Sequence, residues 1–241
     1  MGGLSWSRCS ALGYELQAGL ELSCGGDFGP GVRLISVLDE EYPVNLLRCK
    51  QRPAGLYVRG LILAGDERAV AVVGTRSPSA QGLARARRLG RVLAQAGVTV
   101  VSGLARGVDT AAHESCLRAG GRTLAVLGHG FGHCYPPENA ALAEGIAAQG
   151  AVLSQFAPDF APTRWSFPER NRVIAGLSLA SVAVECSERS GTLSELKAAL
   201  ALGRRVFLLE SLVTACCWAR EWVDAGRAEV LRSEEQLLAV C

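Results

Sequence analysis

No stretch of this sequence approaches the roughly 18 consecutive apolar residues of a membrane-spanning helix. Its start, MGGLSWSRCSALGYELQ, also lacks the basic opening and continuous apolar run of a signal peptide. Nine cysteines occur without one C-x-x-C pair, an odd count whose spacing argues against a disulfide framework and a paired-cysteine metal site. Cys116, Cys186, Cys216 and Cys217 lie in apolar surroundings, where a free cysteine acts as a small hydrophobe, so a soluble protein of the reducing cytoplasm is expected. G-x-G-x-x-G is missing, so a dinucleotide site has no support, and no cofactor is expected. Net charge is nearly missing too: 25 basic against 23 acidic side chains leave +2, and any anion site must come from local clustering. Lysine is confined to Lys50 and Lys197, so arginine supplies almost all the positive charge. A GC-rich coding bias explains such an excess, yet the planar guanidinium fork still suits bidentate phosphate contact and stacking.

What is present is ordinary globular material: 241 residues, 49% hydrophobic and 20% charged, enough for one core domain and an appendage. Residues 1–33 carry glycine clusters and only a short amphipathic stretch, and are expected as a loosely ordered or partly helical lead-in. Residues 34–65 mix a short strand, a Tyr-Pro turn and a second strand around Leu56 to Val58, which suits an extension packed on the core. The main rhythm fills 66–241. Apolar runs of strand length recur at 69–73, 98–101, 123–127, 151–153, 181–184 and 206–209. Helical patterns lie between them, the first placing Leu83, Ala86, Leu89 and Leu93 on one face with Arg85, Arg88 and Arg91 off it. Others are expected near 109–119, 138–149, 170–178 and 192–202, and the apolar tail LLESLVTACCWAREWVDAG is expected to pack as a last helix. Near-continuous apolar strands alternating with helices predict a Rossmann-like, doubly wound α/β fold with a mostly parallel sheet. Ligands of such sheets sit at the carboxyl ends of the strands, so the loops there are the places to look.

The first loop, VVGTRSPSAQG, offers Gly74, Thr75 and Arg76 before a helix start that suits an anion, or a tight turn capped by Ser77 or Ser79. The second, VVSGLARGVDTAAH, brings Ser102, Gly103, Arg106 and Gly107 to the same crevice and is the stronger anion candidate. Asp109 and His113 follow at i and i+4, although an aspartate near a helix start commonly serves as a cap. The third, GHGFGHCYPPEN, groups His129, His133 and Cys134, but no second ligand pair accompanies them and no metal is expected. The segment APTRWSFPERNRVIAGLS sets Arg164, Arg170 and Arg172 around Trp165 and Phe167, the densest basic-plus-aromatic patch of the chain. Last, Ser190, Gly191 and Thr192 open a helix after the fifth core strand, and a capping box from Thr192 to Glu195 accounts for that glutamate.

VVGTRSPSAQG, SGLARGVDTAAHESCLRAGGRTLAVLGHG, YPPEN, FPERNRVIAGLS and SGTL, in this order, resemble the DNA-processing protein A family, also called DprA/Smf, over about residues 40–209. The resemblance implies a protein without catalysis. It would bind and protect single-stranded DNA in natural transformation and load a RecA-type recombinase, usually as a homodimer. The family's basic pocket matches Arg106 and Arg164, with Arg170, Asn171 and Arg172 in the same motif as Phe167. Two departures from the resemblance are expected: residues 1–33 leave no room for the family's helical domain, and no winged helix is expected in the residues after Arg227. SGTLSE also departs from the family's usual threonine and alanine by placing Glu195 there. That G-T-x-x-E arrangement resembles the Lonely-guy phosphoribohydrolases, in which Glu195 and an arginine such as Arg170 would cleave an N-glycosidic bond. A third reading is a module that senses nucleotides without turnover.

Overall fold

A computed structural model describes residues 28–187 and 190–241; the expected lead-in falls outside them through residue 27. At the centre lies β3 (Ala69–Val73), whose sequence AVAVV has no polar side chain because both faces are covered. Its alternation sorts the two cores: Ala69, Ala71 and Val73 enter one, Val70 and Val72 the other.

From β3 the chain steps to β4 (Thr99–Ser102), β5 (Thr123–Val126) and β6 (Ala151–Ser154), each parallel to the last. It then crosses back to β7 (Ala180–Ala183) on the other side of β3 and continues through β8 (Arg205–Leu209) and β9 (Glu229–Leu231). β1 (Val32–Ser36) and β2 (Gly55–Gly60) add an antiparallel pair at the β6 edge. The order is β1-β2-β6-β5-β4-β3-β7-β8-β9, nine strands among the described residues. Winding reverses between β3 and β7, so the crevice at their carboxyl ends is the topological switch point.

One face is covered by α1 (Val44–Leu47), α5 (Ser166–Leu177), α6 (Gly191–Ala201), α7 (Glu210–Ala215) and α8 (Cys217–Asp224), whose Leu46, Ile174, Leu196, Leu212 and Trp218 share one core. The other carries α2 (Ala80–Gln95), α3 (Val108–Arg118) and α9 (Glu235–Leu238), contributing Leu93, Cys116 and Leu237. A third cluster forms under α4 (Ala140–Gln149), around Ile146 and Leu127. In α2 the buried set is Gly82, Ala86, Leu89, Gly90 and Leu93, as the 3.6-residue spacing predicts. Each buried leucine of this kind contributes about 2 kcal/mol.

The tail differs from the single helix expected. Extended backbone at Cys216 (φ −122°) separates α7 from α8, which lets Trp218 and Trp222 turn inward together, their rings edge to face at 5.3 Å. Gly226 follows in the left-handed region (φ +66°), ends α8 and admits the ninth strand.

Candidate nucleic-acid interface

The loops after β3, β4 and β7 and the first turns of α5 and α6 enclose a cavity of about 400 Å³ at the switch point. That volume lies within the roughly 300–1,000 Å³ of small-ligand sites. Thr75, Arg76, Asp109, Phe167, Arg170 and Glu195 are among the residues lining it. Close loop contact rests on two glycines. At Gly107 (φ +79°) an added Cβ would lie 2.5 Å from the Thr75 carbonyl oxygen, and at Gly103 it would lie 2.4 Å from Arg170 Nη1. Between them Leu104 adopts φ +55°, a costly conformation held in place by Asn139 Nδ2, which donates to its carbonyl at 2.9 Å.

Arg170 is buried beside this turn. Its Nη1 donates to the carbonyls of Gly103 (2.5 Å) and Val126 (2.6 Å), and its Nε to Asn171 Oδ1 (3.1 Å). Burial lowers its pKa to about 10, with Asp109 opposing that shift, so it remains a cation at neutral pH. Asp109 Oδ2 accepts the Gly103 and Ala105 N–H groups at 3.1 and 3.3 Å, while burial raises its carboxyl above the ordinary range. Asn171 Nδ2 in turn donates to the Gly191 carbonyl at 3.1 Å, tying α5 to the start of α6. This motif therefore builds the floor: Arg170, expected to touch phosphate, locks two strand ends through their carbonyls.

Exposed arginines lie at the crevice mouth and just before α5. Arg76 is exposed, with its guanidinium carbon 5.4 Å from the Phe167 ring centroid. Tyr135, 42% exposed, lies 5.8 Å from the same ring, and Trp165, 55% exposed, packs edge-to-face on Phe156 and Phe160. Arg164 is exposed just before α5, and among the described residues neither Arg76 nor Arg164 forms an ion pair. Arg106 is exposed but ion-paired with Glu138. That bond holds the Glu138 carboxyl below its usual range.

Several expected residues stand elsewhere. Ser102 is fully buried, and its hydroxyl donates to the Val72 carbonyl at 2.7 Å, so it is a strand tie away from the open crevice. Arg172, one position past Asn171, points outward to Glu169 at 2.8 Å. The helix start after β3 is already occupied: Ser79 caps α2, and its own N–H and hydroxyl donate to the Glu185 carboxylate at 2.9 and 2.5 Å. Asp109 and His113 do not pair, because His113 turns to Thr123 Oγ1 (2.7 Å) and burial lowers its pKa to about 3. His129 faces the Gly130 and Tyr135 carbonyls and His133 that of Asp159; the described residues hold no group of three metal-ligating side chains. The capping box is also absent. Ser190 caps α6 by accepting the Thr192 N–H at 3.1 Å, and Glu195 Oε1 instead accepts the Ser181 hydroxyl at 2.7 Å. Gly74, Thr75, Gly103, Gly107, Phe167, Ser190, Gly191 and Thr192 do converge on the crevice. Tyr135 was missed by sequence reasoning; an aromatic residue directly before Pro136 and Pro137 was the available signal.

The family profile described as DNA recombination-mediator protein A matches residues 33–241. The chain belongs to this family. The family's protein Smf of Synechocystis sp. is 42% identical over 207 residues, which are 83% of this chain and 52% of that protein. The chain thus spans about half the length of that curated relative. Among solved structures, DNA processing protein A of Streptococcus pneumoniae superposes with a TM-score of 0.77 at 33% identity, over 87% of this chain and 74% of that one. The Helicobacter pylori DNA processing protein A, which has a described single-stranded DNA binding mode, gives 0.75 at 26% identity, over 86% and 94%. Family membership also fixes the fold class as the mostly parallel α/β sheet read from the strand pattern. No helix among the described residues is long and apolar enough to cross a membrane.

Proposed function

We propose that this protein binds single-stranded DNA across the mouth of the switch-point crevice, protects it, and passes it to a RecA-type recombinase in transformation or recombination, working as a homodimer in the cytoplasm. The observation that carries the binding step is a set of exposed groups: Arg76 over the Phe167 ring beside Tyr135 at the crevice mouth, and Arg164 with Trp165 just before α5, neither arginine ion-paired among the described residues. Phosphates need mobile cations within reach of solvent, and unstacked bases need exposed ring faces; duplex DNA offers the phosphates but keeps its base faces stacked. The strand-binding relative of Helicobacter pylori supports the same reading, and recombinase delivery and dimer formation rest on membership of the family. Binding is the role, without a chemical step. In the phosphoribohydrolase alternative Arg170 would hold a phosphate, yet its Nη1 and Nε are engaged by Gly103, Val126 and Asn171.

Fluorescence anisotropy with labelled oligo-dT and the matching duplex, across a salt series, tests this. Preference for the strand is expected, with log affinity falling by about 0.7 per neutralised phosphate for each unit of log salt. Arg76→Ala and Arg164→Ala should each weaken binding and flatten that slope. No strand binding at low salt would overturn the proposal, and equal affinity for duplex would overturn its single-strand preference.

A further inference from the structure

Within the crevice one polar group is left over. Glu195 is 1% exposed and lines the cavity from α6, one turn in from its start. Its Oε1 accepts the Ser181 hydroxyl at 2.7 Å, while its Oε2 is buried and has no hydrogen-bond partner among the described residues. A buried carboxyl oxygen without a partner is costly, and native structures keep such atoms chiefly where a ligand, water or proton completes them. Next to it, at the start of α6, an added Cβ at Gly191 would meet nothing within 4 Å, so its backbone can be approached closely, while the Thr192 N–H is taken by the Ser190 hydroxyl. The cavity therefore offers an approachable backbone at Gly191 and, deeper, a hydrogen-bonding oxygen left over at Glu195.

We infer that Glu195 is a ligand-binding residue of this cavity, holding a proton on Oε2 and donating it to an acceptor of a nucleotide unit whose phosphate lies toward the start of α6. This rests on the strand-binding reading and adds to it a proton taken up with the ligand. The charged and titratable neighbours set the sign. Asp109 on α3 and Arg170 on α5 both act on Glu195 through space, Arg76 from the loop after β3 lines the same cavity, and the Cys186 thiol, raised by burial, adjoins Ser190 and Thr192. Asp109 and Arg170 compensate each other, so the floor is neutral when Glu195 is protonated and carries one negative charge when it is not. An entering phosphate favours the first state and is repelled by the second. Burial, the largest influence on Glu195, raises its pKa to about 8, which puts the change within reach of ordinary assays.

The test is oligo-dT affinity by anisotropy between pH 6.5 and 9.5 at constant salt, for the wild-type protein and Glu195→Gln. Glutamine keeps an acceptor for Ser181 and a donor for the cavity but cannot ionise, so the readout is the slope with pH and not the absolute affinity. Wild-type affinity should be flat to about pH 7.5 and then fall, approaching tenfold per pH unit, while the glutamine variant stays flat. Calorimetric titration of wild-type protein at pH 9, in two buffers of different ionisation heat, should show uptake approaching one proton per bound strand. That arm needs no variant to fold. Equal slopes in the two proteins, or no proton uptake, would overturn the assignment while leaving strand binding intact. Failure of wild-type protein to bind at pH 6.5 would overturn the strand reading and this assignment with it.

Discussion

Arg170→Met tests whether the arginine of the ERNR motif builds the site or serves it. Methionine approximates the aliphatic stem and removes the fork. Lost with it are the Nη1 bonds to Gly103 and Val126, the Nε bond to Asn171, and the charge that compensates buried Asp109. Hydrogen bonds from a charged donor are worth about 1.5–3 kcal/mol each, and removing one partner of a buried pair costs about 3–5 kcal/mol. These figures overlap, since the same guanidinium supplies both, so about 4 kcal/mol is a reasonable total. At about 2–4 °C per kcal/mol for a chain of this size, Tm should drop by roughly 8–16 °C. Arg170→Lys keeps a charge near Asp109 but cannot reach two carbonyls and Asn171 in one plane, so it should fall between wild type and the methionine variant. Thermal melting followed by circular dichroism at pH 7 reads all three. A methionine variant melting within about 2 °C of wild type would refute the scaffold role and return Arg170 to the ligand-contacting set.

Glu138→Gln frees Arg106 from its exposed partner and should tighten oligo-dT binding by up to about fivefold at low salt, the gain shrinking as salt screens it; unchanged or weaker binding would show that the pair does not compete with phosphate. Glu195 also predicts how stability depends on pH. Its folded pKa lies above the ordinary carboxyl value, so the folded state holds a proton that the unfolded chain releases. Its contribution is therefore most favourable below about pH 4.5 and is lost as pH rises toward 8, at roughly 1.4 kcal/mol per pH unit. The stability gap between Glu195→Gln and wild type should widen in the variant's favour across that window, and denaturant unfolding at pH 5, 6.5 and 8 would refute this if the gap stayed constant.

Much of the fold was legible locally. A strand covered on both faces must be apolar at every position, so AVAVV at β3 announced itself, and the 3.6-residue spacing of α2 followed from a helix with one buried face. The crevice was legible too, because Gly103, Gly107, Arg76 and the SGT turn sit directly after apolar strands, where a doubly wound sheet puts its ligands. The sequence by itself therefore determined the class of fold and the supply of arginine at the carboxyl ends of its strands. It could not say which arginine is built into the floor and which points outward. Arg170 and Arg172 stand two positions apart in one motif, yet helix geometry turns the first onto the Gly103 and Val126 carbonyls and the second out to Glu169. Nor could it show that Glu185, following β7, fills the helix start after β3, since that contact spans 106 residues of chain. The same holds for Glu195: a local capping pattern predicted one bond, and Ser181 across the α6–β7 contact offered another. Local sequence sets backbone periodicity and the chemistry available; which polar atom is satisfied and which is left facing a cavity depends on partners brought together only when the sheet order closes.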